Sequence, residues 1–232
     1  MIAKLLIPFV VLIFASVPIA FSQGLASLFL MSVEDVISGE SFVKGITAGL
    51  NSFTLAAVPL FTFAGDIMGK GGISRRLLDL GRIVFDRFTG GLGMVAIVAC
   101  MFFAAISGTG SATVAAIGLI MIPVMVNAGY DKPYSASLVA TAGTIGTIIP
   151  PSVCMVVYAV AANASVTSLF TAGFPVGIIT GIALCVYSYF VATKRKYYPT
   201  EVHHYTGKEI WKIIVEAIPS LLITVTVLDS IY

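Results

Sequence analysis

The chain has 232 residues, of which 58% are hydrophobic and 10% charged, with a formal net charge of +2 and a mean hydropathy of +1.03. Because soluble domains carry about 25% charged residues, this composition excludes a soluble globular domain and predicts a polytopic protein of the lipid bilayer. The small positive charge does not indicate a nucleic-acid partner, since the basic residues are confined to a few loops. The three cysteines lie in apolar segments without metal-binding or redox spacing, so we expect buried thiols.

The first apolar segment, residues 5–33, contains 29 consecutive uncharged residues after Lys4. Such a run is long for a signal peptide and sufficient for a membrane span. We therefore expect a retained first transmembrane helix, with cleavage as the alternative. A second uncharged run, residues 45–65, predicts a second helix. Residues 1–69 are thus predicted to form the first two transmembrane helices, which belong to a scaffold.

Charged residues mark the loops between the apolar segments. Five cations lie in 69–89 and five in 193–212, whereas 31–45 holds one cation against three acidic residues. The positive-inside rule therefore places the first two loops and the N-terminus in the cytoplasm, and 31–45 outside. Along 73–88, apolar residues recur at helical spacing with arginines on the other face. This pattern predicts an amphipathic helix at the cytoplasmic membrane interface within residues 70–89.

Residues 88–130 contain no charge, yet the sequence SGTGS at 107–111 interrupts them with glycines and small hydroxyl side chains. The arms on either side, Leu92–Ile106 and Ser111–Val126, have 15 and 16 residues. At about 1.5 Å per residue each arm spans roughly 22–24 Å, which is less than the roughly 30 Å hydrocarbon core. Charge counting fits two full spans equally well. Arm length and tip composition favour a re-entrant hairpin that enters from the cytoplasm and returns there.

A second interruption, GTIGTIIPPS at 143–152, divides an uncharged stretch that runs from Pro133 to Thr193. The tandem prolines remove two backbone donors and disfavour helix immediately before them. Ser152 can then cap the helix that resumes. We therefore expect a traverse over 133–165 that is broken near its middle.

Each interruption ends one helix and begins another at membrane depth. Unpaired carbonyls at a helix C-terminus suit a cation such as Na⁺, and free N–H groups at an N-terminus suit an anionic group such as a carboxylate. Because the spanning segments contain no ionisable Asp, Glu, Lys, Arg or His, we expect backbone coordination of a metal cation rather than a proton relay. Small-residue helix packing is the structural alternative. Hydroxyl groups that could bind either ion lie at Ser107, Thr109, Ser111, Thr113, Thr144 and Thr147.

At these residues the chain resembles the large membrane subunit of tripartite ATP-independent periplasmic (TRAP) transporters. The resemblance covers about residues 56–193, with small departures at Asp66 and at Pro175-Val176-Gly177. The matching stretches, in the order that the family keeps, are AAVPLFTFAGDIM (56–68), GISRRLLDL (72–80), GGLGMVAIVACMFFAAISGTGSATVAAIGLIMIPVM (90–125), AGY (128–130), GTIGTIIPPS (143–152) and LFTAGFPVG (169–177).

The resemblance implies an all-α transporter of the bacterial inner membrane rather than an enzyme. It would import an organic anion, such as a C4-dicarboxylate, sialic acid or a similar carboxylate, with Na⁺ as coupling ion and no other cofactor. A periplasmic substrate-binding protein would deliver the substrate, and a small four-helix membrane subunit would complete the permease. The hairpin and the broken helix, residues 90–165, would travel with the substrate in an elevator mechanism.

The resemblance also implies the positions of the binding sites. The family's first cation site falls on the backbone at Ser107, Gly146, Ile149 and Pro150. The substrate would be bound at Gly108, Thr109, Gly110, Ser111, Thr113, Thr147, Pro151 and Ser152.

The family's subunit is an inverted repeat of about twice this length. We therefore expect a transmembrane helix over 166–193, a cytoplasmic loop over 194–212 and the start of a truncated helix over 213–232, with the missing C-terminal half as a partner. The alternatives are a sodium/dicarboxylate symporter that works without a binding protein, and an inactive membrane scaffold. A membrane enzyme is disfavoured, because the only histidines, His203 and His204, lie in a basic loop without a metal-ligand or protease motif.

Overall fold

The computed structural model describes residues 2–33, 38–51, 53–197 and 207–229, and the regular secondary structure of these residues is helical throughout, as predicted. The chain forms two compact units, Met1–Ser52 and Phe53–Tyr232. A short 3₁₀ turn, Thr144–Thr147, follows α8. The helices are α1 (Ile2–Phe14), α2 (Ile19–Val33), α3 (Gly39–Leu50), α4 (Phe53–Lys70), α5 (Ile73–Phe85), α6 (Gly91–Ser107), α7 (Gly110–Asn127), α8 (Lys132–Gly143), α9 (Val153–Ala162), α10 (Val166–Arg195) and α11 (Gly207–Asp229).

Within the described residues, two helices are long and apolar enough to cross a membrane. These are α7, with 18 residues, and α10, with 30 residues. Shorter apolar helices include α1, α2, α6 and α9. By length and composition the chain therefore carries spanning helices together with several that are too short to span alone.

The prediction of a single first helix over 5–33 is wrong, because two helices form there. α1 ends at Phe14, Ser16 adopts the left-handed conformation (φ 61°), and Pro18 directly precedes α2. Proline has no N–H to donate and disfavours helical geometry in the residue before it. The two short helices pack against each other in the first unit.

The prediction of one helix over 45–65 is also wrong. α3 begins after the Ser38 N-cap and ends at Leu50, where the Asn51 N–H donates to the Thr47 carbonyl; α4 then begins at Phe53. Asparagine competes with the helical backbone for hydrogen bonds and favours helix ends. Within residues 2–33, 38–51 and 53–69 the structure therefore has four helices instead of two. Residues 34–37 of the predicted outer loop lie outside the described residues.

α6 forms the centre of the second unit and packs against α5, α7, α8 and α10. Its side chains Val95, Ile97, Cys100 and Phe103 are buried in the main hydrophobic core. Cys100 is thus buried as predicted, whereas Cys154 is exposed on α9. α6 therefore lies largely inside the protein.

α5 lies where the amphipathic helix is predicted, and it packs against two helices, α6 and α11. Leu77 and Leu78 are buried there, whereas Val84 and Phe88, which belong to the same predicted apolar face as Leu77, are exposed. α11 begins within the predicted loop 194–212, six residues before the predicted helix start at 213. The histidines and the rest of 198–206, and residues 230–232, lie outside the described residues.

α10 packs directly against the break between α8 and α9. Three of its glycines, Gly173, Gly177 and Gly181, are spaced four residues apart and buried. A Cβ at Gly173 would lie 2.7 Å from the Ile148 carbonyl oxygen, and one at Gly177 would lie 2.4 Å from Ile149 Cγ1. Small residues at this spacing let membrane helices approach closely, so α10 supports the broken segment through backbone contact.

Side-chain contacts join the loop between α7 and α8 to the end of α10. We call the five residues that make them the tyrosine latch: Tyr130, Asp131, Tyr134, Arg195 and Tyr197. The Tyr130 and Tyr197 rings stack with centroids 4.4 Å apart. The Tyr197 hydroxyl donates to Asp131 Oδ2 at 2.7 Å, and Arg195 Nη1 lies 2.5 Å from the same oxygen. The latch joins the base of the hairpin to α10 over 66 residues of sequence.

We expect the latch to weaken in acid. The hydrogen bond from Tyr197, with a further contribution from Arg195, holds the pKa of Asp131 below its ordinary value of 3.8. A lowered pKa stabilises the folded chain above the ordinary value, and this stabilisation is lost as the pH falls through the lowered pKa. In detergent, the thermal unfolding midpoint should therefore fall more steeply below about pH 4 for the parent chain than for Asp131→Asn.

The matched control is Glu40→Gln, which removes an exposed ion pair with Lys44 inside one turn of α3. This variant should keep the acid dependence of the parent chain, because the pair joins no distant elements. Equal acid dependence in Asp131→Asn and the parent would show that the ring contacts of the latch, and not the carboxylate, hold the two segments together.

Candidate functional site

The interruption predicted at 107–111 is a tight turn between α6 and α7. α6 ends at Ser107, Gly108 adopts the left-handed conformation (φ 64°), Thr109 is extended, and α7 begins at Gly110. Glycine adopts the left-handed conformation without steric cost, which explains its place at the end of α6. The two arms have 17 and 18 residues, two more each than predicted. At about 1.5 Å per residue they span roughly 25–27 Å, close to the roughly 30 Å of the hydrocarbon core, so the arm lengths fit a re-entrant hairpin and two full spans alike.

Three oxygen atoms converge inside this turn, which we call the hairpin tip (residues 107–113). The Thr113 hydroxyl donates to the Thr109 carbonyl at 2.8 Å, and Ser107 Oγ lies 3.3 Å from that carbonyl and 3.1 Å from Thr113 Oγ1. Both hydroxyl side chains are buried. Buried hydroxyl and carbonyl oxygens in this arrangement are the type of ligand that a hard cation takes.

The break between α8 and α9 leaves carbonyl groups without helical donors. The amides of Ile148 and Ile149 both donate to the Ile145 carbonyl at 2.9 Å. The next two residues are prolines, joined by a cis peptide bond, and have no N–H. The Gly146 carbonyl therefore receives neither of the N–H groups that a continued helix would supply. α9 then begins at the predicted cap, since the Ser152 side chain accepts from the Met155 N–H.

The hairpin tip and the break are in direct contact. The Val153 N–H donates to the Gly108 carbonyl at 3.0 Å, so the first amide of α9 bonds to the tip. A Cβ at Gly146 would lie 3.0 Å from both the Thr109 carbonyl oxygen and Thr113 Oγ1. Ends of four helical segments thus meet at one place, which gathers the N–H groups that favour an anion and the carbonyls that favour a cation.

α4 packs against the other side of the hairpin tip. A Cβ at Gly65 would lie 2.9 Å from Ser107 Cα, so the α4 backbone touches the end of α6. Beside this contact lies an open cleft with a volume of ≈ 540 Å³. The wall that α4 contributes includes Thr62, Phe63 and Asp66, and the tip contributes Ser107 and Thr109.

The structure divides the predicted site residues into two groups. Ser107, Thr109, Thr113 and Gly146 come together inside the junction, whereas Ser111 is exposed at the start of α7. The remaining predicted residues flank the junction: Gly108 and Gly110 on the tip, and Thr147, Ile149, Pro150, Pro151 and Ser152 along the break.

Two predicted substrate ligands are engaged in local bonds. The Ser152 hydroxyl donates to the Thr147 carbonyl at 2.8 Å and also caps α9, and the Thr147 hydroxyl donates to the Thr144 carbonyl at 2.8 Å. Thr113 lies on the Gly146 side of the tip and donates to the Thr109 carbonyl. It is therefore closer to the predicted cation ligands than it is to the cleft. The ligand roles of all these residues stay predictions.

The sequence reasoning missed the contribution of α4. It assigned residues 1–69 to a scaffold, whereas Val58, Pro59, Thr62, Phe63, Gly65 and Asp66 line the cleft beside the hairpin tip. A signal was present, because this segment contains one of the stretches that carry the family resemblance, and its Gly65 permits the close contact with Ser107.

Comparisons of the sequence with known proteins identify its family. The sequence profile of the DctM component of tripartite ATP-independent periplasmic transporters matches residues 6–232. The chain is 43% identical over 224 residues to the isethionate TRAP transporter permease protein DctMQ of Oleidesulfovibrio alaskensis, covering 97% of this chain and 35% of that protein.

Two relatives from Vibrio cholerae give similar coverage. The C4-dicarboxylate TRAP transporter large permease protein DctM is 39% identical, covering 100% of this chain and 51% of that protein. The sialic acid TRAP transporter large permease protein SiaM is 33% identical, covering 95% and 51%. The chain therefore spans about half, or less, of the length of these curated relatives.

Proposed function

This chain belongs to the DctM family of tripartite ATP-independent periplasmic transporters, and we propose that it forms part of a sodium-coupled permease that imports an organic anion. Membership of this family implies a multi-pass protein of the bacterial inner membrane, with transport rather than catalysis as its activity. The chain spans about half of a relative such as DctM from Vibrio cholerae, so the proposal assigns transport to the assembled permease.

The observation that carries the proposal is the contact between the hairpin tip and the helix break. Val153 N–H donates to the Gly108 carbonyl, and Gly146 lies against Thr109 and Thr113. Helix N-terminal amides stabilise an anionic substrate group, and carbonyls without helical donors stabilise a cation. One junction therefore offers both ligand types without a buried charged side chain, which suits joint binding of an anion and Na⁺.

The proposed substrate is a small organic acid. The relatives are named for isethionate, C4-dicarboxylates and sialic acid, and each of these compounds carries an acidic group that is ionised at neutral pH. In the proposed mechanism the hairpin is re-entrant, and α6–α9 move with the substrate as an elevator. A periplasmic binding protein supplies the substrate, and a small membrane subunit completes the permease.

Uptake into proteoliposomes tests this proposal. The chain, assembled in its complete permease, should import a radiolabelled organic acid only when an inward sodium gradient and the loaded binding protein are both present. Replacing the sodium gradient by a potassium gradient is the matched control. Uptake that proceeds equally without the binding protein would instead support a symporter of the dicarboxylate type, and uptake that is indifferent to sodium would contradict the proposed coupling.

A further inference from the structure

The open cleft beside the hairpin tip adjoins the junction at which the anion is proposed to bind. Ser107 and Thr109 line the cleft on the α4 side of the tip, and Thr109 also lies against Gly146 on the other side. The side of the break is closely packed, since a Cβ at Gly146 would lie 3.0 Å from the Thr109 carbonyl oxygen, whereas the cleft has a volume of ≈ 540 Å³. A small molecule whose anionic group is bound at the tip therefore has space for the rest of its structure in the cleft.

Apolar side chains form most of the wall of the cleft: Val58, Pro59 and Phe63 on α4, and Ala112 on α7. Phe63 supplies the largest of these side chains, and the residue is 66% exposed, so its ring is accessible to a ligand. Ala112 is small and leaves the space beside the tip open. The Thr62 hydroxyl donates to the Val58 carbonyl at 2.9 Å and keeps lone pairs that can accept a hydrogen bond. The cleft therefore suits an uncharged group, either apolar or hydroxyl-bearing.

The cleft offers no positive charge to a second anionic group. Among the described residues that line it, none is a Lys, Arg or His. Asp66, the acidic residue of the lining, already takes part in another interaction, and a carboxylate does not attract an anion whatever its own partner is. Moving an ionised group from water to a mainly apolar surface without a counter-charge is costly. A dicarboxylate bound at the tip through one group would have to leave its second group in this place.

We propose that the cleft binds the uncharged part of a singly charged organic acid, and that Phe63 determines which acids fit; this inference rests on the proposed function. An acid with a neutral tail gains apolar contact with the Phe63 ring, and a hydroxyl group on that tail can donate to Thr62. A dicarboxylate gains neither contact and loses the hydration of its second charge. The permease therefore selects monoanions with a neutral tail over dicarboxylates of the same length.

Direct binding of acids to the assembled permease tests this inference without transport and without the binding protein. The thermal unfolding midpoint is measured in detergent at neutral pH and saturating sodium. The probes are butyrate and hexanoate, with succinate and adipate as dicarboxylates of equal length. Apparent dissociation constants follow from the dependence of the midpoint on acid concentration. Each monocarboxylate should bind about tenfold more tightly than the dicarboxylate of its length, because the second charge of the dicarboxylate is buried without a partner.

Two variants of the wall test the role of the apolar tail. Phe63→Ala removes the aromatic contact and should weaken the binding of hexanoate relative to butyrate by about tenfold. Ala112→Leu fills the cleft from the tip side and should change this ratio in the same direction. Leu60→Ala is the matched control, because Leu60 lies on the same helix, is 67% exposed and does not line the cleft. This variant should keep the ratio of the parent.

Three results would overturn the inference. Equal ratios in Phe63→Ala and Leu60→Ala would remove the role of Phe63, and succinate that binds as tightly as butyrate would remove the selection by charge. Stabilisation by hexanoate that is indifferent to sodium would show that the cleft takes any lipid-like chain. Sodium-driven uptake by the parent permease without these preferences would leave the proposed function standing, whereas absent uptake of every organic acid would refute the proposed function itself and this inference with it.

Discussion

Gly146→Val is expected to raise the sodium concentration for half-maximal uptake by roughly ten- to a hundredfold. Loss of one carbonyl or hydroxyl contact to a cation is worth on the order of 1.5–3 kcal/mol, which corresponds to that range. A Cβ at this position would lie 3.0 Å from the Thr109 carbonyl oxygen and from Thr113 Oγ1, and the two further methyl groups of valine would crowd them more. The substitution therefore disturbs the converging oxygens without changing any charge.

Gly118→Ala is the matched control for steric change at a buried glycine. Its added Cβ would meet Ile122 Cδ1 at 3.5 Å and Val139 Cγ1 at 3.6 Å, which are ordinary contacts with side chains. This variant should keep the sodium dependence of the parent.

Ser107→Ala removes a hydroxyl that bonds inside the tip. It should raise the sodium concentration for half-maximal uptake, as Gly146→Val does. The affinity of the binding protein for its ligand should stay unchanged in every case. If both site variants keep normal sodium dependence at normal expression, the cation site lies elsewhere and the junction serves packing.

Gly108→Ala is expected to abolish uptake and to destabilise the second unit by about 3 kcal/mol or more. The left-handed conformation costs a residue with a Cβ about 1–2 kcal/mol, and overpacking adds typically 1–3 kcal/mol. Gly108 has φ 64°, and its added Cβ would lie 2.6 Å from the Pro151 carbonyl oxygen. Because Pro151 is held in the break, the tip would have to move away, and the bond from Val153 N–H to the Gly108 carbonyl would be lost.

A substitution at Gly129 distinguishes the conformational cost from the cost of overpacking. Gly129 also has a left-handed conformation, with φ 88°, but nothing lies within 4 Å of its added Cβ. Gly129→Ala should therefore lower stability by about 1–2 kcal/mol, the conformational part alone, and should keep uptake. The measurement is the thermal unfolding midpoint of each variant in detergent, followed by the proteoliposome assay. Equal losses for the two alanines would mean that the tip does not depend on its contact with the break.

The helix breaks were predictable because their causes are local. At 143–152 the two prolines have no N–H, and at 107–111 Gly108 accepts the left-handed conformation, so each helix ends wherever these residues stand. The same reasoning could have predicted the break between α1 and α2 at Ser16, since Pro18 is present in the sequence. It was overlooked because the uncharged run of 29 residues suggested one helix by length alone.

Other features of the molecule depend on contacts between distant parts of the chain. The packing of both α6 and α11 on α5 could not be read from spacing, because α11 lies more than 120 residues further along the chain. The tyrosine latch joins Asp131 to Tyr197 through side chains that look like ordinary loop residues in sequence. The contribution of α4 to the cleft depends on the close approach of Gly65 to Ser107, which lies more than 40 residues further along the chain.

The sequence by itself determined the class of protein, the helical fold, the position of both breaks and the residue types available for binding. Hydrophobicity, missing backbone donors and glycine conformation act within a few residues, so no partner element is needed to recognise them. Only the tertiary structure decided that the tip meets the break at Gly146 on one side and α4 at Gly65 on the other. Such contacts arise from the packing of whole helices, and the free energy of that packing is shared among residues far apart in the chain.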